Sequence, residues 1–324
     1  MDMKFLKLIL ILVCFNINVY SQYVNYTQYY SSPLNLNPAM TGLGEFGRAG
    51  FIYRNQWPTI DNGYHFVSSW MDYNFFKSNF SLGLNLSNEI DNFSKLSTSH
   101  ISPSFSYEIK LGYKLILKSG LQASFTNSNF NTENLIFYDQ LGVNGVVNST
   151  SENLSDFKNK NYLNLAMGLL MYSESLWIGA SIHNILEPNI SYSSDNLNLE
   201  RIYSFHAGYS LKNIGIAPSF NFRKVGSFSQ LDIGSYINFD PLSVGLWYRG
   251  VPIQKNNSFE SIIGSLSLKI KKMNISYSYD YNVSELLGYS GGSHEISLIF
   301  LFHFFGKNIP PKNARYLECP VPNF

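Results

Sequence analysis

The residues of this chain that are best suited to chemistry include six scattered histidines. His294 and Glu295 begin like the helical zinc-protease motif, in which a second histidine follows the first after four positions. That position holds Leu298, and the segment alternates like a strand, so we predict no metal site there. His183 comes shortly before Pro188, which favours a role in stabilising a loop over a role in catalysis.

Other catalytic patterns are incomplete as well. Gly42, Gly44 and Gly47 have the spacing of a dinucleotide-binding fingerprint, but that motif requires a strand before it and a helix after it. The sequence around them is polar and rich in turn residues instead. We find no nucleophile-elbow pattern and no local Ser-His-Asp arrangement. We therefore expect no cofactor and no enzymatic activity, although a lipid hydrolase assembled from several strands would leave no local pattern.

Two arginines occupy similar positions near the predicted ends of strands. Arg54 and Arg249 each follow a tyrosine, and Gln56 and Trp57 come after the first of them. One interpretation is a satisfied charge at a membrane rim beside an interfacial aromatic side chain. The other is a site that anchors a loop or docks a partner. The sequence leaves both interpretations open.

His294 and Glu295 belong to the stretch Ser293 to Phe305, which must position them. Its even-numbered side chains form a mostly apolar row, while Glu295, Ser297 and His303 belong to the other row. A period of two predicts a β-strand. A strand of this length with one apolar face suits a transmembrane β-barrel, which it would close by pairing with the first strand.

The composition also favours a membrane barrel. Charged residues make up 14% of the chain, against about 25% in an average soluble domain, and aromatic residues reach 16%. After the extreme N-terminus there is no run of about 20 apolar residues, which a membrane helix would need. The formal net charge of +1 does not indicate nucleic acid as a partner. We predict an all-β chain that forms an antiparallel transmembrane β-barrel of about 14 strands, of the outer-membrane type.

Alternation and turn residues together predict the individual strands. They are Phe46–Gln56, Tyr64–Asn74, Asn79–Ser87, Ser97–Ile109, Lys114–Phe125, Asn161–Tyr172, Leu176–Ile182, Arg201–Leu211, Gly215–Arg223, Phe228–Phe239, Leu242–Arg249, Phe259–Ile270, Asn274–Val283 and Ser293–Phe305. The connections after even-numbered strands are tight. Those after odd-numbered strands are mostly longer, with Thr126–Lys160 and His183–Glu200 the longest. Outer-membrane barrels show the same alternation between short periplasmic turns and long external loops.

The first residues of the chain are typical of a secretory signal. Lys4 and Lys7 flank the start of a short apolar core, and small residues before Gln22 favour cleavage after Ser21. We therefore predict a signal peptide over residues 1–21. Cys14 within the core leaves a lipoprotein anchor as an alternative.

The rest of the chain divides into three predicted parts. Residues 22–45 are expected to form an N-terminal coil, either at the periplasmic base of the barrel or inside its lumen. Residues 46–305 form the barrel, and residues 306–324, which are rich in proline, form a periplasmic tail. Cys319 in this tail would be the only cysteine left after cleavage, so it either bridges to a partner or remains a passive thiol.

Eight short motifs occur in order along the mature sequence. They are Asn37-Pro38-Ala39-Met40-Thr41-Gly42, Tyr53-Arg54-Asn55-Gln56-Trp57-Pro58, His183-Asn184 with Pro188, His206-Ala207-Gly208-Tyr209, Gln230-Leu231-Asp232-Ile233-Gly234, Gly245-Leu246-Trp247-Tyr248-Arg249-Gly250, Gly291-Gly292-Ser293-His294-Glu295-Ile296, and Cys319-Pro320 followed by Phe324. Each motif is weak alone. In this order they resemble the PorP/SprF family of type IX secretion membrane proteins over nearly the whole mature chain.

The resemblance implies a Sec-exported protein of the bacterial outer membrane that works with the type IX secretion and gliding machinery. The partners that it implies are a secreted surface protein such as an adhesin, periplasmic components of the secretion apparatus, and outer-membrane lipid. It implies no enzymatic activity. The motif residues that could dock a partner are Asn37, Pro38, Gly42, Tyr53, Arg54, Gln56, Trp57, His183, Pro188, Tyr248, Arg249, His294, Glu295 and Cys319.

Our leading hypothesis is a non-enzymatic component that supports export or surface retention of a partner protein. The loops Thr126–Lys160 and His183–Glu200 would contact this cargo, while the N-terminal coil and the tail would face the periplasmic machinery. The alternative is a passive outer-membrane channel for a small solute, since a barrel of about 14 strands is wide enough to enclose a lumen.

Overall fold

The computed structural model of the protein describes residues 26–44, 47–60, 63–75, 78–130, 138–142, 145–146, 159–192, 196–250, 261–283, 290–302 and 319–322. The predicted signal peptide lies outside these residues. So do most of the predicted tail, except residues 319–322, and most of the predicted loop Thr126–Lys160.

Sixteen strands occur in the described residues, and fourteen of them are long. In chain order they are β1 (Gly47–Gln56), β2 (Tyr64–Phe75), β3 (Phe80–Asp91), β4 (Leu96–Lys110), β5 (Ile116–Phe130), β6 (Leu141–Gly142), β7 (Gly145–Val146), β8 (Lys160–Tyr172), β9 (Leu176–His183), β10 (Ile202–Tyr209), β11 (Ile216–Val225), β12 (Phe228–Phe239), β13 (Leu242–Arg249), β14 (Ser261–Ile270), β15 (Met273–Asn282) and β16 (Ser293–Phe302). The two short strands β6 and β7 pair with each other in the connection between β5 and β8, a hairpin that the sequence did not predict.

The long strands close into one antiparallel barrel. Each pairs with its neighbours along the chain, and β1 pairs with β16 from Gly47 opposite Phe302 to Gln56 opposite Ser293. Every barrel strand therefore has a partner on both sides, which satisfies the backbone in a lipid environment where water is absent. The predicted fourteen-strand barrel, closed by the last strand on the first, is confirmed.

Side chains alternate between the lumen and the outer face. In β16, Ser293, Glu295 and Ser297 are buried toward the lumen, whereas Ile296 and Leu298 on the other row are 49% and 39% exposed. The apolar row faces outward because it contacts lipid, and the polar row faces inward because other polar groups of the chain lie there.

The two ends of the barrel differ in the length of their connections. At one end, here called the turn end, residues 76–79, 111–115, 173–175, 210–215, 240–241 and 271–272 link successive strands. At the other end, the loop end, the links are residues 57–63, 92–95, 131–159, 184–201, 226–227, 250–260 and 283–292. Long connections thus gather at the loop end, with β3 to β4 and β11 to β12 as the tight exceptions.

Strands β3, β4 and β5 extend further toward the loop end than their apolar pattern predicts. The prediction ended β3 at Ser87, but the pairing continues to Asp91 opposite Leu96. Hydroxyl and amide side chains support this extension, for example Thr98 beside Ser128 with their oxygens 3.1 Å apart. Polar side chains can continue a ladder beyond the hydrocarbon layer, so the end of the apolar alternation does not mark the end of the strand.

The helical elements are short turns that precede the barrel, together with one turn beside β6. The turns before the barrel are Tyr29–Ser31 and Pro38–Met40, both 3-10, and a single α-helical turn at Pro33–Leu36. The turn beside β6 is Tyr138–Gln140. In the part of the chain that the structure describes, no helix has the length and apolar character to cross a bilayer.

Candidate functional site

The lumen of the barrel is filled by the N-terminal part of the chain itself. Residues 26–44, here called the luminal segment, run from the loop end to the turn end, and all residues from Tyr26 to Gly42 except Asn35 are buried. Two of its turns begin with a proline, and the side chain of Asn37 caps the second of these by accepting a hydrogen bond from the backbone of Ala39 at 2.9 Å. Proline at the first position is preorganised for such a turn.

A network of buried charges lies beside the luminal segment at the loop end. Arg54 of β1 pairs with Asp280 of β15 at 3.0 Å and with Glu295 of β16 at 3.2 Å. Arg249 of β13 pairs with the same Asp280 at 2.8 Å and with Asp232 of β12 at 3.4 Å. Each of the five side chains is at most 6% exposed. Two arginines are therefore surrounded by three carboxylates in a site that is almost closed to water.

The luminal segment supplies the donors that this network lacks. The two carboxylate oxygens of Glu295 accept hydrogen bonds from the backbone N–H groups of Thr27 and Gln28, each at 2.8 Å. The hydroxyl of Thr27 donates to Asp280 at 2.6 Å, and the hydroxyl of Tyr29 donates to Asp232. The third carboxylate is thus compensated by dipoles of the segment rather than by a third cation. In a site this closed to water, a carboxylate without such donors would be costly.

Three inward-facing glycines allow the middle of the luminal segment to lie against the wall. A Cβ added to Gly168 of β8 would lie 1.9 Å from Oδ1 of Asn37, and one added to Gly120 of β5 would lie 2.2 Å from the backbone at Pro38. Gly179 of β9 leaves room in the same way for a histidine ring of β10. These strands are neighbours, so the glycines form a shallow track in the wall that fits the turn at Asn37 and Pro38.

The buried amide of Asn37 fixes this turn to the wall. Its nitrogen donates to the backbone carbonyls of Leu169 at 3.0 Å and Ala180 at 3.2 Å. It also lies 3.2 Å from Nε2 of His206, a side chain of β10 that is fully buried. His183 approaches the segment one residue earlier, with Nε2 3.4 Å from the carbonyl oxygen of Leu36.

A second group of charges holds the segment at the turn end. Arg48 of β1 pairs with Asp72 of β2 at 2.5 Å, and Asp72 accepts a hydrogen bond from the backbone of Gly42 at 2.7 Å. Lys118 of β5 donates to the carbonyl of Thr41 at 2.9 Å. Gly42 has φ +64, a left-handed conformation that favours glycine, and this turn leads the chain toward β1.

Aromatic side chains fill the lumen between the two charged groups. The ring of Tyr30 packs edge-on against Trp177 and Tyr236, with ring centroids 6.0 and 6.3 Å apart, and Trp177 donates a hydrogen bond to the Tyr30 hydroxyl at 3.3 Å. Such edge-on pairs add to the stabilisation that burial alone provides.

The C-terminal motif reaches the same aromatic cluster. Cys319 and Val321 are 5% and 6% exposed and pack in the cluster that contains Tyr30, Tyr172 and Trp177. The thiol of Cys319 is covered by these neighbours, so a bridge from Cys319 to a partner would require residues 319–322 to move out of the barrel.

The predicted site residues fall into two groups. Those that lie at the interface between the wall and the lumen filling are Asn37, Pro38, Gly42, Arg54, His183, Arg249, Glu295 and Cys319. Those that lie on the outer face or in the loop-end connections are Tyr53, Trp57, Pro188, Tyr248 and His294, while Gln56 lies half-buried at the end of the inward row of β1. The first group is buried, so a partner could reach it only after the luminal segment or residues 319–322 moved.

Several residues of the site were not singled out by the sequence analysis. Asp280, Asp72 and Lys118 are all buried and all take part in holding the luminal segment. Asp280 had a signal in the sequence, since it is the charge on a row of β15 that otherwise carries Ser276 and Ser278. A charge in such a row needs an internal partner.

One motif that the sequence analysis passed over is Gly288-Tyr289-Ser290-Gly291-Gly292, which has the spacing of a nucleophile elbow. In the structure, Ser290 precedes strand β16 rather than a helix. Its hydroxyl accepts a hydrogen bond from Asn282 at 2.7 Å. The context that the elbow requires is therefore missing.

A small cleft lies beside the luminal segment, between Gln28 and the wall of β12–β15. Its volume is about 10 Å³, close to what a single water molecule needs, and its other lining residues are Tyr236, Ser243, Ser265, Ser267 and Ser276. Among the described residues, no three His, Cys, Asp or Glu side chains are grouped so as to hold a metal ion.

Comparisons with solved structures show the fold. The toluene transporter TbuX of Ralstonia pickettii is 13% identical with a TM-score of 0.52, over 84% of this chain and 94% of that chain. The TodX deltaS2S3 mutant, a monoaromatic hydrocarbon channel, is 10% identical with a TM-score of 0.50, over 88% of this chain and 96% of that chain. The comparison with curated proteins found no significant match.

Comparison with protein families identifies the family of this chain. The family model described as type IX secretion system membrane protein PorP/SprF matches residues 18–300, which include nearly all of the barrel and the luminal segment. The resemblance inferred from the motifs is confirmed. The chain is a β-barrel of the bacterial outer membrane and belongs to the PorP/SprF family of type IX secretion system membrane proteins.

Proposed function

We propose that this barrel is a sealed, non-enzymatic platform of the type IX secretion system, which supports export or surface retention of a partner protein bound at its loop end. The observation that carries the proposal is the luminal segment. It spans the lumen from Tyr26 to Gly42 and is held by buried charges at both ends. A barrel filled in this way offers its rim and loops, rather than its interior, to other proteins.

The loop end has a shape suited to docking. Strands β4 and β5 are 15 residues long, whereas β9 has 8. At about 3.3 Å per residue, this difference makes one side of the wall about 23 Å longer along the strands than the other. The longest connection, residues 131–159, starts from β5. Residues 184–201 start from the short strand β9 but turn toward β8, where the backbone of Ile185 donates to the carbonyl of Leu165 at 3.0 Å. We infer that the cargo binds on the side formed by β4 and β5, here called the tall side. The turn end would face the periplasmic machinery.

The side chains of the tall side match a polar partner. Asn88 donates to Ser99 at 2.7 Å, and Asn127 donates to Asn161 at 2.7 Å, both in exposed positions. Amide and hydroxyl groups of this kind can exchange hydrogen bonds with the backbone or polar side chains of a bound protein, as in the polar rim of many interfaces.

The alternative, a passive channel for a small solute, requires an open path through the lumen. The serine-lined cleft beside Gln28 is too small to form such a path. A permeable barrel would therefore require displacement of the luminal segment, with loss of the hydrogen bonds that Glu295 and Asp280 make to it.

Affinity purification of the tagged protein from outer membranes tests the proposal. We expect a secreted surface protein and periplasmic type IX components to copurify with the full chain. Shortening the connection of residues 184–201 should remove the surface protein but keep the periplasmic components. Shortening residues 250–260, which connect β13 to β14, is the matched control and should keep both. The proposal is wrong if a strain without the gene still exports and anchors all its surface proteins.

A further inference from the structure

A polar row on the outer face of the barrel has no part in filling the lumen. Asn55 of β1 lies directly opposite His294 of β16 on one side and opposite His65 of β2 on the other. All three side chains alternate with buried inward neighbours and so project from the outer wall near the loop end. Since neighbouring strands are about 4.8 Å apart, the two histidine backbones are separated by about 10 Å.

Each histidine of this row is held by a tyrosine hydroxyl. Tyr53 contacts Nδ1 of His65 at 2.9 Å, and Tyr277 contacts Nδ1 of His294 at 2.8 Å. Because Nδ1 is engaged in both rings, Nε2 is the nitrogen that remains for another partner. A hydrogen bond to one ring nitrogen fixes the orientation of the ring and the tautomer, which prepares the other nitrogen for a ligand.

The side-chain oxygen of Asn55, the central residue of the row, is unsatisfied within the described residues. The oxygen Oδ1 of Asn55 is buried between its neighbours and accepts no hydrogen bond within the described residues. A buried acceptor without a donor is uncommon in proteins. A modest rotation of the amide would direct one of its polar atoms outward, where a ligand hydroxyl could donate to the oxygen or accept from the nitrogen.

The surface on one side of the row is apolar. Phe51, Ile296, Leu298 and Phe300 continue the same outward face toward the turn end, and they are 43%, 49%, 39% and 48% exposed. These side chains contact lipid chains in a membrane. The polar row therefore lies at the depth where hydrocarbon gives way to headgroups, within reach of the headgroup of a lipid whose chains cover the apolar side chains.

We propose that His65, Asn55 and His294 form a binding site for the phosphorylated sugar headgroup of a membrane lipid. The Nε2–H groups of the two imidazoles would donate to phosphate oxygens, and a sugar hydroxyl would hydrogen-bond the Asn55 amide. The occupant is a lipid because the site borders the face that contacts lipid chains. It carries phosphate and hydroxyl groups because the row offers two imidazole donors and one amide.

Lipid binding to the purified full chain in neutral detergent micelles tests the site. The probe is a phosphorylated glucosamine-disaccharide lipid, and its retention is measured by native mass spectrometry at increasing lipid concentration. We expect the double variant H65Q/H294Q to bind about tenfold more weakly than the unchanged protein, and Y53F/Y277F to bind about threefold more weakly because it removes only the positioning hydroxyls. The matched control H100Q changes an inward-facing histidine of β4 and should leave binding unchanged.

Further lipids separate the chemical contributions. The same lipid without its phosphates should bind about tenfold more weakly, and inorganic phosphate should not compete at millimolar concentration. Equal binding of the phosphorylated and dephosphorylated lipids, or equal binding by the double variant and the unchanged protein, would overturn the proposal. If the double variant does not fold, the single variants H65Q and H294Q replace it, and unchanged affinity in both would overturn it equally.

Discussion

Arg54 and Asp280 are 226 positions apart in the chain, yet their side chains meet at 3.0 Å inside the barrel. Asp280 also binds Arg249, so that one carboxylate joins side chains from β1, β13 and β15. The luminal segment is part of the same network, because Thr27 donates to Asp280. Barrel closure and retention of the segment are therefore supported by the same charges.

Replacement of Asp280 by asparagine should destabilise the folded barrel strongly. The change leaves Arg54 and Arg249 buried with less compensating charge, and breaking a buried pair typically costs about 3–5 kcal/mol. We expect a lower midpoint in thermal unfolding followed by heat-modified gel mobility. Glu89→Gln is the matched control, since Glu89 pairs with His100 at a partly exposed site, where about 1 kcal/mol or less is expected. Equal midpoints for the two variants would contradict the assigned role of Asp280.

Replacement of Glu295 by glutamine should loosen the luminal segment at the loop end. Glutamine has about the same size, but it offers one neutral acceptor where the carboxylate receives the backbone of both Thr27 and Gln28. With a cysteine placed at Ser31, which is 1% exposed, we expect maleimide labelling to be about tenfold faster in E295Q than in the unchanged background. Identical labelling rates would show that Glu295 does not hold the segment.

A methyl group on the glycine track should displace the turn at Asn37. In Gly168→Ala the new Cβ would meet Oδ1 of Asn37, so either the segment or the wall must shift, at a cost of about 1–3 kcal/mol. Gly264→Ala on β14 is the matched control, because no atom lies within 4 Å of its Cβ position. We expect a lower thermal midpoint only for Gly168→Ala, and a matching decrease in both variants would count against the track.

Removal of residues 26–42 should open the barrel. In planar bilayers we expect the full chain to be nearly silent, because the segment and the buried charges block the lumen. The deletion variant should conduct at least about tenfold more if it folds, since a barrel of about 14 strands encloses a lumen. A full chain that conducts as well as the deletion variant would favour the solute channel instead.

The thiol of Cys319 should react slowly in the folded protein. It is 5% exposed within the aromatic cluster, whereas Tyr113 in a turn-end connection is fully exposed. A cysteine placed at Tyr113 is the internal control, and we expect it to react with a maleimide about 100-fold faster than Cys319. After denaturation the two rates should converge. Comparable rates before denaturation would mean that residues 319–322 do not stay packed in the barrel.

The sequence predicted the wall because lipid imposes a local pattern on it. In β15, Ser276 and Ser278 alternate with Tyr277 and Tyr279, and each residue can be assigned to a face from its immediate neighbours. Strand ends were less predictable. At Asp91 the ladder continues on polar side chains, so the loss of apolar alternation marked the limit of the hydrocarbon rather than the limit of the strand.

The candidate site was predictable only in part, for a different reason. Arg54 and Arg249 could be singled out by their position near strand ends, but their shared partner Asp280 depends on how the sheet curves around the lumen. No local pattern contains that information. The place of Asn37 against Gly168 is a similar case, because it depends on the direct approach of two segments 131 positions apart.

The position of Glu295 also constrains the order of assembly during biogenesis. The residue belongs to β16, the last strand of the barrel, yet its carboxylate binds the backbone of Thr27 and Gln28, which precede the first strand. The luminal segment therefore gains this anchor only when β16 has taken its place beside β1. A chain truncated before β16 would lack both the seam and the group that secures its own beginning.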